Sequence, residues 1–106
     1  MKAYQVQVTR EAEKDLERIY HYIADTLQVP GTALNQYRRL ADGISSLRMF
    51  PERCRLFDTE PERQQGMRQL LVDRYSVLYV IRGDTVVVLR VLYSSSDLAA
   101  RLRENL

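Results

Sequence analysis

Tyr4, Val6 and Val8 alternate with Gln5 and Gln7, and this period of two predicts a strand with one covered face. Thr9 can cap the helix that follows, with Glu11 and Glu13 in its first turn, where the helix dipole favours negative charge. Ala12, Leu16, Ile19, Tyr20, Ile23 and Leu27 then recur at helical spacing, while Glu13, Lys14, Glu17 and Arg18 fall off that stripe. The helix is expected to run to about Leu27 and to break at Val29-Pro30-Gly31. Thr32 would cap a second helix, on which Ala33, Tyr37, Leu40, Ile44 and Leu47 repeat in steps of four and three, until Phe50-Pro51 ends it. Two helices joined by a few residues make an antiparallel hairpin that needs another layer to close its core.

Residues 52–66 carry no sustained period and read as a long connection, with Leu56 and Phe57 expected to pin it to the core. After Gly66 the pattern turns to strand. MRQLLV, YSVLYVIR and TVVVLRVLY are three strands, joined by two-residue turns at Asp73-Arg74 and Gly83-Asp84. Ser94-Ser95-Ser96-Asp97 stops the last one and leads into a short helix carrying Leu98 and Leu102. With so few apolar anchors, that tail is the element expected to move. The order predicts an α+β fold: an N-terminal strand, an antiparallel helix hairpin, a three-stranded antiparallel meander and a short C-terminal helix, with the helices on one face of a twisted sheet. At 106 residues the chain is expected to form a single domain, 1–106.

Composition narrows the classes. Hydrophobic residues make up 45% and charged residues 28% of the chain, as in an ordinary globular protein. Apolar runs such as Val86 to Leu89 are far too short to cross a membrane, and MKAYQVQV lacks the apolar block of a signal peptide. The single cysteine, Cys54, rules out an internal disulfide, so a cytoplasmic location without membrane contact is expected. The formal charge of +2 is unevenly spread: residues 1–62 hold nine basic against ten acidic side chains, and residues 63–106 hold seven against four. Of the 16 basic residues 14 are arginine, which suits bidentate contact with carboxylate or phosphate. Nucleic acid is permitted as a partner by this balance but not required.

The sharpest feature is Arg90, a guanidinium inside the most apolar segment, VVVLRVLY. Unbroken alternation would put Val87, Leu89, Val91 and Tyr93 on one face of the strand and Val86, Val88, Arg90 and Leu92 on the other. If the helices cover one side only, Arg90 and Arg68 would share a shallow, concave, basic face on the open side. The plainer role is a local ion pair, with Asp73, Asp58 or Asp97 as partner. Other chemistry is thin. His21 stands between two tyrosines on the first helix and reads as packing or surface, and Cys54 lies between Arg53 and Arg55 with no histidine near it in sequence. Tyr20, Tyr37, Tyr75 and Tyr79 read as packing. No metal-ligand spacing, phosphate loop or glycine-rich fingerprint is present, so neither metal nor cofactor is expected.

The phrases AEKDLERIYHYI, LRMFPERCRLFD, GMRQLLVDRYSVLYVI and VVVLRVLYSSSDL, in this order, resemble the RelE/ParE superfamily of type II toxin–antitoxin toxins. Many of these are labelled plasmid stabilisation proteins. The resemblance runs from Tyr4 to about Leu98. It implies one of two activities: RelE-like members enter the ribosomal A site and cut messenger RNA, whereas ParE-like members poison DNA gyrase. Cleavage by the 2′-hydroxyl needs a base, cations for the phosphorane-like charge and an acid. Where RelE-like toxins carry arginine after the tyrosine opening the second meander strand, this chain has Ser76. Beyond the last strand, where they carry basic residues, it has Ser94, Ser95 and Ser96. No tyrosine or histidine follows Tyr93. The expectation is therefore a ParE-like gyrase inhibitor, with no confident catalytic residue.

In that reading Arg68, Arg74, Arg90, Tyr93 and Asp97 are the candidates for target contact. The rival reading, a ribosome-dependent ribonuclease acting on mRNA, would use Arg68, Arg90 and Tyr93, with Tyr93 or Asp97 in proton transfer. A third is an inactive antitoxin-binding module. The resemblance further implies a cognate antitoxin whose disordered segment wraps the helix hairpin and sheet edge, over Leu16, Tyr20, Ile23, Tyr37 and Ile44, with displacement of the terminal helix. It admits a toxin dimer or a heterotetramer with the antitoxin.

Overall fold

The computed structural model describes residues 2–95 and 97–104. Strand β1 (Gln5–Val8) leads into helix α1 (Arg10–His21), followed by a π-helical turn over Tyr22–Thr26 and helix α2 (Pro30–Ser46). A 3-10 turn (Pro51–Arg53) opens the long connection, after which come β2 (Arg68–Val72), β3 (Tyr75–Arg82), β4 (Thr85–Tyr93) and helix α3 (Leu98–Arg103). This is the expected α+β order. Ser96, part of the expected strand stop, lies outside the described residues.

Local signals explain most boundaries. Thr9 caps α1: its hydroxyl oxygen accepts from the Ala12 N–H at 3.2 Å, satisfying one of the helix's orphan donors. It also donates to the Leu89 carbonyl at 3.0 Å, so the cap is fastened to β4. Two expectations change. Thr32 does not cap α2; the helix starts at Pro30 without a side-chain cap, because proline's fixed φ and missing N–H suit the first helical position. The regular part of α1 ends at His21 rather than Leu27. The chain then closes a wider turn in which the Leu27 N–H reaches the Tyr22 carbonyl at 3.0 Å.

The sheet runs β1-β4-β3-β2, with β1 parallel to β4 and the remaining pairs antiparallel. Asp73 and Gly83 open the two-residue turns with φ of 55° and 60°. The β3–β4 register shifts once: Leu78 pairs with Arg90 but Tyr79 pairs with Val88, which leaves Leu89 as a bulge. A bulge adds one residue and reverses the parity of everything beyond it. Val91 consequently joins Val86 and Val88 in packing against the hairpin, while Leu92 joins Val87 and Leu89 on the other side. The face assignment expected for β4 holds through Leu89 and is wrong beyond it.

Both faces of the sheet are packed. On the hairpin side Ala12, Leu40, Ile44 and Leu47 meet Val77, Tyr79, Val86, Val88 and Val91. On the opposite side Phe57 and Met67 of the connection and Leu98 and Leu102 of α3 cover Leu78, Val80 and Leu92. The expected open, concave face is therefore covered by its own apolar cluster. Phe57 pins the connection as expected, and Leu56 forms a single bridge to Arg68. The short helix is further fastened by Arg103, which grips the buried Glu62 carboxylate at 2.7 and 3.1 Å.

Two outcomes follow from this packing. A Cβ at Gly43 would stand 2.7 Å from Val72 Cγ2, and a β-branched side chain has no spare rotamer to yield. Gly43→Ala is expected to lower stability in urea unfolding by about 1 kcal/mol, since overpacking outweighs the gain in helix propensity. In a Val72→Ala background the same change becomes stabilising. The second outcome concerns acid. The Arg103 guanidinium, ahead of the other contacts, holds Glu62 below its ordinary value of 4.5. A depressed carboxylate contributes stability above its unfolded pKa and loses it as pH falls through the folded value. Protection factors at Leu98 and Leu102, taken against the intrinsic exchange rate at each pH, should therefore be insensitive to this pair above about pH 5 and fall below 4.5, and Glu62→Gln should remove that acid step.

Candidate functional site

β1 pairs with β4 only as far as Val88, where the chain turns up into α1, so among the described residues no strand flanks residues 89–93 of β4 on that side. Asp15, in the second turn of α1 and 1% exposed, reaches into the gap. Its carboxylate accepts the Val91 N–H at 2.9 Å, Arg90 Nε at 2.7 Å, Arg90 Nη2 at 2.9 Å and Arg18 Nη1 at 3.0 Å. The Asp15 hydrogen bonds, first among the causes, raise the Arg90 pKa further. Arg90 is thus an internal ion pair with its side chain only 12% exposed. It does not stand on an open sheet face, and its partner is none of Asp73, Asp58 or Asp97. The bulge explains why: it swings the guanidinium toward α1 at the sheet edge.

Arg68 is also occupied. Its Nη1 donates to the carbonyls of Cys54 at 2.6 Å and Glu52 at 3.1 Å. Beside it on β3, the fully buried Tyr79 donates its hydroxyl to the Pro51 carbonyl, and burial holds that phenol protonated well above the ordinary range. The two residues splint the turn after α2 to the sheet. Arg68 and Arg90 therefore do not form one basic face. Ser76 is buried in a chain from Gln69 Nε2 at 2.8 Å to the Ser94 hydroxyl at 2.5 Å. Asp73, one of the carboxylates considered for Arg90, instead takes Arg39 at 2.6 and 2.7 Å, and Arg39 holds its pKa low. Among the described residues no three His, Cys, Asp or Glu side chains come together as a metal-ligand group.

Of the remaining target candidates, Arg74 and Tyr93 come together at one end of the sheet, where the Arg74 carbonyl accepts the Ser94 N–H at 2.8 Å. Asp97 is exposed at the start of α3, its pKa lowered by the Ser95 hydroxyl. Tyr93 stacks edge-on against Tyr75, with centroids 5.8 Å apart. Both tyrosines line a cleft of about 460 Å³ between α1 and the end of β4, whose other walls are Ile19 and Tyr22 and whose rim carries Arg18 and Arg101. Sequence reasoning named Tyr93 here but missed Tyr22, Arg18 and Arg101. Nothing in the helical stripe separates Tyr22 from its neighbours, and only the π-helical turn marks it out.

A second groove runs along the other side of α1. Tyr37, 42% exposed, is common to three adjoining hollows. They bring together Leu16 and Val8, then Tyr20 and Leu34, then Ile44 at the floor. Four of the five antitoxin candidates, Leu16, Tyr20, Tyr37 and Ile44, therefore lie in one trough. Ile23 is buried at 7% exposure and lines none of it.

Residues 6–98 match the family model described as the ParE toxin of the type II toxin–antitoxin system parDE. The chain belongs to the ParE toxin family. Toxin ParE3 of Caulobacter vibrioides is 32% identical over 94 residues, which cover 89% of this chain and 90% of that one. A chain of the chromosomal ParDE system of P. aeruginosa superposes with a TM-score of 0.71 at 24% identity, covering 88% of this chain and 98% of the other. A chain of the RelBE2 toxin–antitoxin complex of Mycobacterium tuberculosis gives 0.60 at 26% identity, covering 89% and 94%. This ParE-like toxin thus shares its fold with both branches of the RelE/ParE superfamily.

The Asp15 junction yields a stability test. Asp15→Ala strands a mostly buried guanidinium and the Val91 N–H together, and should cost about 3–5 kcal/mol in urea unfolding. Arg90→Ala leaves the carboxylate with Arg18 and Val91 and should cost less.

Proposed function

We propose that this ParE-like toxin arrests growth by binding DNA gyrase rather than by cutting RNA, and that a cognate antitoxin neutralises it. The observation that carries this reading is the prior engagement of both strand arginines. Arg90 is spent on the buried Asp15 carboxylate, and Arg68 on the carbonyls of Glu52 and Cys54. A ribonuclease site would need such cations free to meet developing phosphorane charge. Ser76, sealed against Gln69 and Ser94, supplies none in the neighbouring position. Target contact then falls to the exposed Arg74, Tyr93 and Asp97, and the toxin works in the cytoplasm, where gyrase is.

The antitoxin is assigned to the trough through Tyr37. An amphipathic segment that folds on binding would lay its apolar side on Leu16, Tyr20 and Tyr37 and meet the β1 edge, combining groove binding with strand addition. Support comes from the apolar, exposed character of this trough, since Tyr37 and Leu34 are 42% and 41% exposed. Such patches rimmed by polar residues mark partner sites.

Inducing the gene alone in bacteria should stop growth, raise a DNA-damage response and leave transcripts intact by primer extension; purified toxin should inhibit gyrase supercoiling. Discrete cuts within messenger RNA codons would instead establish the ribonuclease, and no growth defect would leave an inactive binding module. Leu16→Glu with Tyr37→Glu should preserve arrest while weakening rescue by the antitoxin at least tenfold.

A further inference from the structure

The cleft on the far side of α1 surrounds Tyr93, one of the residues to which target contact falls in the toxin reading, with further groups. Ser94 N–H donates to the Arg74 carbonyl, which makes residues 74 and 94 a hydrogen-bonded pair. Tyr75 and Tyr93, the next pair along, are then a non-hydrogen-bonded pair whose main-chain groups point away from each other. The N–H and C=O of Tyr93 accordingly face outward from β3. The Val91 N–H faces the same way, to Asp15, and carries its carbonyl with it. Since β1 stops opposite Val88, no described strand runs beside β4 at this point. The cleft thus presents an acceptor at Val91 and a donor and acceptor at Tyr93, spaced as a strand edge.

Its walls supply the side-chain half of a recognition site. Tyr22, 53% exposed, is brought to the cleft by the π-helical turn and stands opposite the Tyr75–Tyr93 pair, with Ile19 between. A cleft of about 460 Å³ holds one bulky apolar or aromatic side chain. Arg18 and Arg101 at the rim keep the cleft positive, because the single Asp15 carboxylate is shared between Arg90 and Arg18 and so leaves an excess of cationic charge beside Arg101. A strand edge, an aromatic box one side chain wide and two rim guanidinia are complementary to polypeptide backbone, a ring and carboxylates. A nucleic acid could use the tyrosines and arginines but would leave the backbone groups of Val91 and Tyr93 unmatched.

We infer that this cleft binds an extended acidic polypeptide segment that pairs with the Val91–Tyr93 edge of β4 and places a bulky apolar side chain among Tyr22, Tyr75 and Tyr93. The mode is strand addition with one anchoring pocket. It is separate from the Tyr37 trough and holds whichever molecule the toxin poisons.

A phage-displayed random dodecapeptide library panned on the immobilised full-length chain should enrich sequences alternating acidic with bulky apolar residues. The synthesised consensus should bind in solution, with Tyr22→Ala and Arg101→Ala each weakening it at least tenfold while circular dichroism stays unchanged. N-methylation of its central amide should weaken it similarly, and the Tyr93 amide should exchange at least tenfold more slowly in the complex. Lack of any enriched consensus, binding indifferent to both substitutions, or binding indifferent to N-methylation would overturn the inference. So would displacement of the peptide by a dodecamer of thymidylate at lower concentration than by the peptide itself, which would make the cleft a nucleic-acid site.

Discussion

One carboxylate joins the two halves of this molecule. Asp15 lies where the first strand has ended and the last continues, and an unpaired N–H at that place would be buried without water. By accepting the Val91 N–H it completes the edge that β1 abandons, and by accepting Arg90 it neutralises its own burial. Neither group could stand there alone. An isolated buried charge is costly, and a buried pair is tolerable only when its remaining lone pairs and protons are satisfied. Here the Arg18 and Val91 contacts do that. The same arrangement sets the position of α1 over the sheet, and with it both grooves that flank this helix.

Those grooves differ in kind. The trough through Tyr37 is apolar and shallow, formed between α1, α2 and the β1 edge. The cleft at Tyr22 and Tyr93 is lined by aromatic rings and bounded by guanidinia and by strand main chain. A toxin has to be recognised twice, by what it poisons and by what restrains it. Two chemically distinct surfaces on opposite sides of one helix allow those events to be separate or to compete through the position of α1.

Much of the fold was legible because its signals are local. Turn chemistry at Asp73-Arg74 and Gly83-Asp84 placed β3 and β4 at the residues they occupy, and Thr9 capped α1 as its position before an apolar stripe implied. What failed depended on distant residues. Alternation presumes an unbroken ladder, so the bulge at Leu89 inverted every face beyond it. Asp15 was invisible as Arg90's partner because 75 positions separate them and a lone aspartate on a helix reads as solvated. Tyr22 was missed because a π-helical closure leaves no periodic trace. The guanidinium of Arg68 looked available only because the segment whose carbonyls consume it was read as a featureless connection.

The placement of β1 has a bearing on how the toxin is made. Among the described residues its strand partner is β4, the last of the four strands, and the pairing is parallel, which is slow because the intervening segment must be ordered first. A nascent chain that has emerged only as far as β3 has no edge for its N-terminal strand, and Asp15 lacks both the Arg90 guanidinium and the Val91 N–H. The architecture therefore closes only once β4 has emerged, and a ribosome that quits before Val91 releases a fragment unable to close.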